Sequence, residues 1–107
     1  MHARARLEPM WIGWVEFDVL LGDVHSLKQK RALVRPLIAD LSRRTEAAVA
    51  EVGSLDLHRR ATIGVAVIAR DAGHVRDVLS RAERMLADDH PEVTLLSAHH
   101  GLHSSED

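Results

Sequence analysis

The sequence contains no cysteine. That absence excludes disulfides, thiolate metal sites and cysteine nucleophiles together, and it accords with a reducing compartment. Aromatic residues are nearly as scarce: Trp11, Trp14 and Phe17 are the whole set, so the core has to be built from Val, Leu, Ile and Ala. No apolar run approaches the roughly 20 residues that a membrane-spanning helix needs. Residues 1–9 carry arginines but not the apolar centre of a signal peptide. The expected location is the cytoplasm, with no membrane partner. An excess of positive charge is missing too. The formal net charge is -2, so any contact with a phosphate backbone must come from a local patch. Gly22, Gly53, Gly64 and Gly73 are scattered without phosphate-loop spacing.

What is present is an ordinary globular composition, 46% hydrophobic and 28% charged over 107 residues, enough for one domain with one core. Residues 1–9 have no periodicity and end in Pro9, which predicts a disordered extension before a domain over 10–99. From Trp11 the pattern is extended. Val15, Phe17, Val19 and Leu21 fall on one face of a strand, and Trp14, Glu16 and Asp18 on the other. Ser26 suits the N-cap of a first helix, with Leu27, Val34, Ile38 and Leu41 on one stripe beside Leu37. Pro36 should bend this helix without ending it, because the stripe continues beyond it. Asp40 can pair with Arg44 one turn on.

A short strand follows at residues 47–52, and a stronger one at 61–69, where Ile63, Val65 and Val67 alternate with Thr62, Gly64 and Ala66. Asp71 caps a second helix with a stripe of Val75, Val78, Leu79, Ala82, Met85 and Leu86, and Asp77 with Arg81 should support its outer face. Pro91 closes it. Residues 92–98 form a last strand, and residues 100–107 read as a polar tail. The order is βαββαβ. Short right-handed connections and two buried helical stripes then point to an α+β, ferredoxin-like two-layer sandwich: an antiparallel four-stranded sheet with both helices on one face.

The most informative segment is His25-Ser26-Leu27-Lys28-Gln29-Lys30-Arg31. Three cations in the first turns oppose the helix dipole, while free backbone donors beside Lys and Arg suit a phosphate or carboxylate. Lys28, Arg31 and Arg35 share one ridge. With Lys30 they form a candidate anion or RNA contact strip, Ser26 positioning the helix end and Arg43, Arg44, Arg59 and Arg60 extending it. The plainer reading is a solvated basic face balanced by Asp23.

The open sheet face lacks the stacked aromatics of an RNA platform. Trp14, Thr62, Gly64 and Ala66 instead suit packing against another sheet, which makes a homodimer the rival expectation. Glu16 and Asp18 point the same way, a geometry compatible with a metal or an acid–base pair, but no nucleophile or histidine is implied beside them. Eight histidines raise metal binding, yet His99 and His100 should point to opposite faces of a strand, leaving at most two of His99, His100 and His103 to converge. Asp56, His58 and Glu51 could form a charged loop contact. The expectation is a non-enzymatic protein with no catalytic residues, no metal and no cofactor.

With these residues read, the chain resembles the YlxP-like family of small bacterial proteins of uncharacterised function. The likeness runs from about Met10 to Ala98. It rests on Ile12-Gly13 through Leu21, on His25 to Arg31, on Val49-Ala50-Glu51-Val52, and on Asp56-Leu57 leading to Gly64-Val65-Ala66-Val67. The extension before Met10 departs from that pattern, as do His58 and Arg59, where an aromatic and a glutamine are expected. The resemblance implies a ferredoxin-like fold and carries over no catalytic residue. The family's genes often neighbour those of translation and ribosome-binding factors. That company implies a part in translation or ribosome maturation, with RNA or ribosomal particles as partners.

Overall fold

A computed structural model describes residues 8–107. The expected disordered extension at 1–9 therefore lies mostly outside the described residues; 8 and 9 carry no regular structure. The elements run β1 (Trp11–Leu21), α1 (Leu27–Thr45), β2 (Ala48–Gly53), β3 (Arg60–Ala69), α2 (Ala72–Asp89) and β4 (Val93–Ser104). The strands form one antiparallel sheet in the order β2-β3-β1-β4, so β1 and β3 are central. This is the expected ferredoxin-like arrangement.

Alternation along β1 decides which side of the sheet is dry. Val15, Phe17, Val19 and Leu21 are all fully buried, and Ile63 and Val65 of β3 join them in one cluster with the stripes of both helices. The α2 stripe is the one read from the sequence, all six residues buried. Asp71 caps this helix by accepting from the Gly73 N–H at 2.9 Å. Gly13 lies beneath α2, and a Cβ there would collide with Val75 and Leu79. The close approach of helix and strand therefore needs a residue without a side chain.

Three expectations require correction. The segment 100–107 is not a free polar tail, because β4 continues to Ser104. An 11-residue β1 offers ladder partners that far, pairing Trp11 with Ser104. The following turn is also fastened, with Ser105 N–H donating to the Met10 carbonyl at 2.7 Å and Ser104 bonded to Asp107. Asp77 and Arg81 form no ion pair among the described residues; Arg81 reaches across to α1 and donates to the Arg44 carbonyl at 2.9 Å. Finally, the buried stripe of α1 is Lys30, Val34, Leu37, Leu41 and Thr45, which places a lysine in the interior. Pro36 is accommodated inside α1, which remains one helix.

Candidate functional site

The start of α1 is held by its own side chains. Ser26 has an extended backbone (φ -153°) and its hydroxyl accepts from Gln29 N–H at 3.1 Å. Gln29 reaches back to accept from His25 N–H at 2.7 Å. Ser26 and Gln29 thus satisfy two backbone donors, in a variant of the S-x-x-Q cap whose return bond goes to the residue before the N-cap, a signal present in the sequence at residues 26–29. No acidic residue occupies the first turn. The positive end of the helix dipole is thus uncompensated by the helix itself.

Lys28, Arg31 and Arg35 are exposed on this helix. None of them enters an ion pair among the described residues. Asp23, just before the helix, keeps its carboxylate at the same end, where it meets His25 Nε2 at 2.7 Å. Arg76 and Arg84 of α2 are likewise exposed and unpaired among the described residues. What sets the α1 group apart is that it begins, with Lys28, in the first turn of its helix, where backbone donors and the dipole favour an anion.

Lys30 does not belong to that surface. Its side chain is 3% exposed, and the ammonium lies 2.9 Å from Glu51 Oε2 on β2. It also donates to the Ser54 carbonyl at 2.7 Å and reaches the Leu55 carbonyl at 3.4 Å. The position follows from geometry, since Lys30 sits four residues before Val34 on the apolar stripe. Burial of an ammonium there is tolerated because a carboxylate and two carbonyls meet it. The same contacts fix the β2–β3 loop, where Ser54 adopts a left-handed φ of 59°. The expected contact of Glu51 with Asp56 and His58 is replaced by this pair.

The arginines that would extend the strip each have a partner within the fold, though they stay at the surface. Arg43 and Arg44 both bind Asp40, and Arg44 also binds Asp89 at 2.8 Å. Arg59 donates to the Gly22 carbonyl at 3.0 Å, and Arg60 is paired with Asp18. His90 completes the Asp40 cluster: Nε2 lies 2.8 Å from Asp40 and Nδ1 2.9 Å from Glu92. Burial of His90 opposes its protonation, but the two carboxylates outweigh that and raise its pKa above the ordinary value. Hydrogen bonding to His90, with help from Arg44, lowers the pKa of Asp40. These groups tie the end of α1 to the turn after α2.

The open face carries more than was read from the sequence. Trp14 lies over Gly101 of β4, where any Cβ would strike the indole. His99 meets its ring edge-on at 5.2 Å. A last strand ending at residue 98 does not by itself place His99 beside Trp14; the longer β4 does. Between Trp14 and Val52 runs a shallow apolar groove of about 320 Å³, floored by Ala48, Ala50, Gly64 and Ala66. Val52 shields Gly64, while Thr62 faces Asp18 across the ladder. Glu16 and Asp18 share this face, but Asp18 is neutralised by Arg60, so they are not an isolated carboxylate pair. His99 pairs with Glu16 on the open side, whereas His100 sits 3.7 Å from Glu83 of α2. The two histidines therefore face opposite ways. Among the described residues, no helix is long and apolar enough to cross a membrane.

Comparison with known proteins decides the family. The family described as "Protein of unknown function (DUF503)" matches residues 12–100. The chain belongs to that family. It is 26% identical over 82 residues to the uncharacterised protein YlxP of Bacillus subtilis (strain 168), covering 77% of this chain and 88% of YlxP. A designed protein, Foldit4, superposes with a TM-score of 0.51 at 9% identity, covering 88% of this chain and 96% of the design. A protein from Shewanella oneidensis known from its crystal structure gives 0.50 at 14% identity, over 92% and 93% of the two chains. Both speak to the fold alone.

Proposed function

We propose that this DUF503 protein is a cytoplasmic, non-enzymatic accessory factor that associates with RNA or ribosomal particles. The reading rests on one observation: Lys28, Arg31 and Arg35 stand exposed and unpaired among the described residues, on a helix whose first turn carries no acidic residue. Such a start favours phosphate oxygens twice over, through backbone donors and through side-chain charge. Lys30 has no part in the contact; it holds the neighbouring loop. The test is binding to purified ribosomal RNA as a function of salt. Alanine at both Lys28 and Arg31 should weaken binding and reduce the slope of log K against log salt by roughly 1.5 to 2. Unchanged affinity and slope in the double variant reject the patch.

A second reading is favoured by the open face, where Val52 and Ile68 are 52% and 66% exposed around Trp14. Apolar area of that kind suits a homodimer through apposed sheets, acting as a protein-interaction or small-ligand regulatory domain. Light scattering of the wild type against Trp14→Lys separates the two. A dimer that the substitution splits supports the second reading, and a monomer in both cases rejects it.

A further inference from the structure

Among the described residues, the strand β4 is an edge, bonded to β1 on one side only. Edge strands present unpaired backbone donors and acceptors, and proteins normally guard them with charge, proline or bulges. Over Val93–Ser104 the strand carries no Lys, Arg, Asp, Glu or Pro. One register shift, opposite Asp18/Val19, interrupts it near its start. The stretch from 97 to 104 is left as an unguarded edge.

A pocket of about 350 Å³ lies beside that same stretch, between α2 and β4, lined by Arg76, Leu79, Ser80, His100, Gly101 and Leu102. Its volume falls in the range of ordinary ligand sites, and it combines apolar walls with a few convergent polar groups. Leu79 and Leu102 belong to the core cluster or pack against it. Arg76 is exposed and engages no carboxylate among the described residues. A strand laid along β4 directs every second side chain toward the helix layer, and so into this pocket.

We propose that the β4 edge is a docking site for an extended segment of a partner protein, captured by strand addition. An apolar side chain of the segment seats between Leu79 and Leu102, and a neighbouring acidic side chain meets Arg76. A second copy of β4 is the poorer occupant, because β4 has no carboxylate to offer Arg76. This site is separate from the α1 strip, so its fate does not depend on RNA binding.

The test uses a phage-displayed library of random heptapeptides selected on the intact chain, with Arg76→Glu as the comparison. Selection should return peptides carrying Leu, Ile or Val beside Asp or Glu. Arg76→Glu should weaken a synthesised winner by roughly tenfold and shift selection toward Lys and Arg. N-methylation of alternate backbone amides in that peptide should abolish binding, and its amide shifts should map to β4 and α2. No enrichment over an empty support would overturn the proposal. So would selection indifferent to Arg76→Glu, shifts confined to other elements, or a β4-mediated dimer that peptides do not displace.

Discussion

Replacing Lys30 by methionine keeps the buried aliphatic stem and removes only the ammonium. Glu51 Oε2 then loses the cation 2.9 Å away, and the Ser54 and Leu55 carbonyls lose their donor. Breaking a buried ion pair from one side costs about 3–5 kcal/mol, because the surviving charge stays desolvated. Glu51 is 21% exposed and recovers some hydration, so the lower end, about 3 kcal/mol, is the expected loss. For a domain of this size that lowers Tm by about 15 °C. Urea unfolding followed by circular dichroism measures it, with an unchanged m-value showing that the transition remains two-state. Adding Glu51→Leu to Lys30→Met should return much of the loss, since replacing both partners by apolar groups is often near neutral. Lys28→Ala and Arg31→Ala, being exposed, should each stay within about 0.5 kcal/mol of wild type. A Lys30→Met protein as stable as wild type but unable to bind RNA would refute this account and return Lys30 to the anion strip.

Three more outcomes are expected. The protonated His90 is stabilised by Asp40 and Glu92, so its contribution is fully present below its unfolded pKa of about 6.5 and fades as pH rises through its raised folded value. Unfolding free energy should therefore decline as pH rises above about 6.5, and His90→Gln should flatten that decline. Asp40 behaves oppositely: its stabilising contribution is present above its unfolded pKa and is lost as pH falls through its lowered folded value, which Asp40→Asn should remove from an acid titration. Gly13→Ala forces a methyl against Val75 and Leu79 and should cost about 1–3 kcal/mol through overpacking, read as a lower urea midpoint with little change in m-value.

Short-range periodicity made much of this protein legible before any coordinates. Alternation in residues 15–21 and 61–67 and the helical stripe from Val75 to Leu86 each depend on neighbours in sequence, so the element order and the dry side of the sheet could be read directly. The cap at Ser26 was equally local. The length of β4 was not, because a strand of mixed polar residues extends only as far as its partner does, and that partner, β1, lies some 80 residues away in sequence.

The candidate site divides along the same line. Sequence spacing placed Lys28, Lys30, Arg31 and Arg35 near one helix start, and it could go no further, since a charge is free or paired according to what other elements bring against it. The Asp40–Arg44 pair one turn apart was legible in the sequence, whereas tertiary structure alone put Glu51 against Lys30, Asp18 against Arg60 and Asp40 against His90, leaving Lys28, Arg31 and Arg35 facing solvent. Local pattern thus determined the order of the elements and the dry side of the sheet, while packing between distant segments decided which charges have partners.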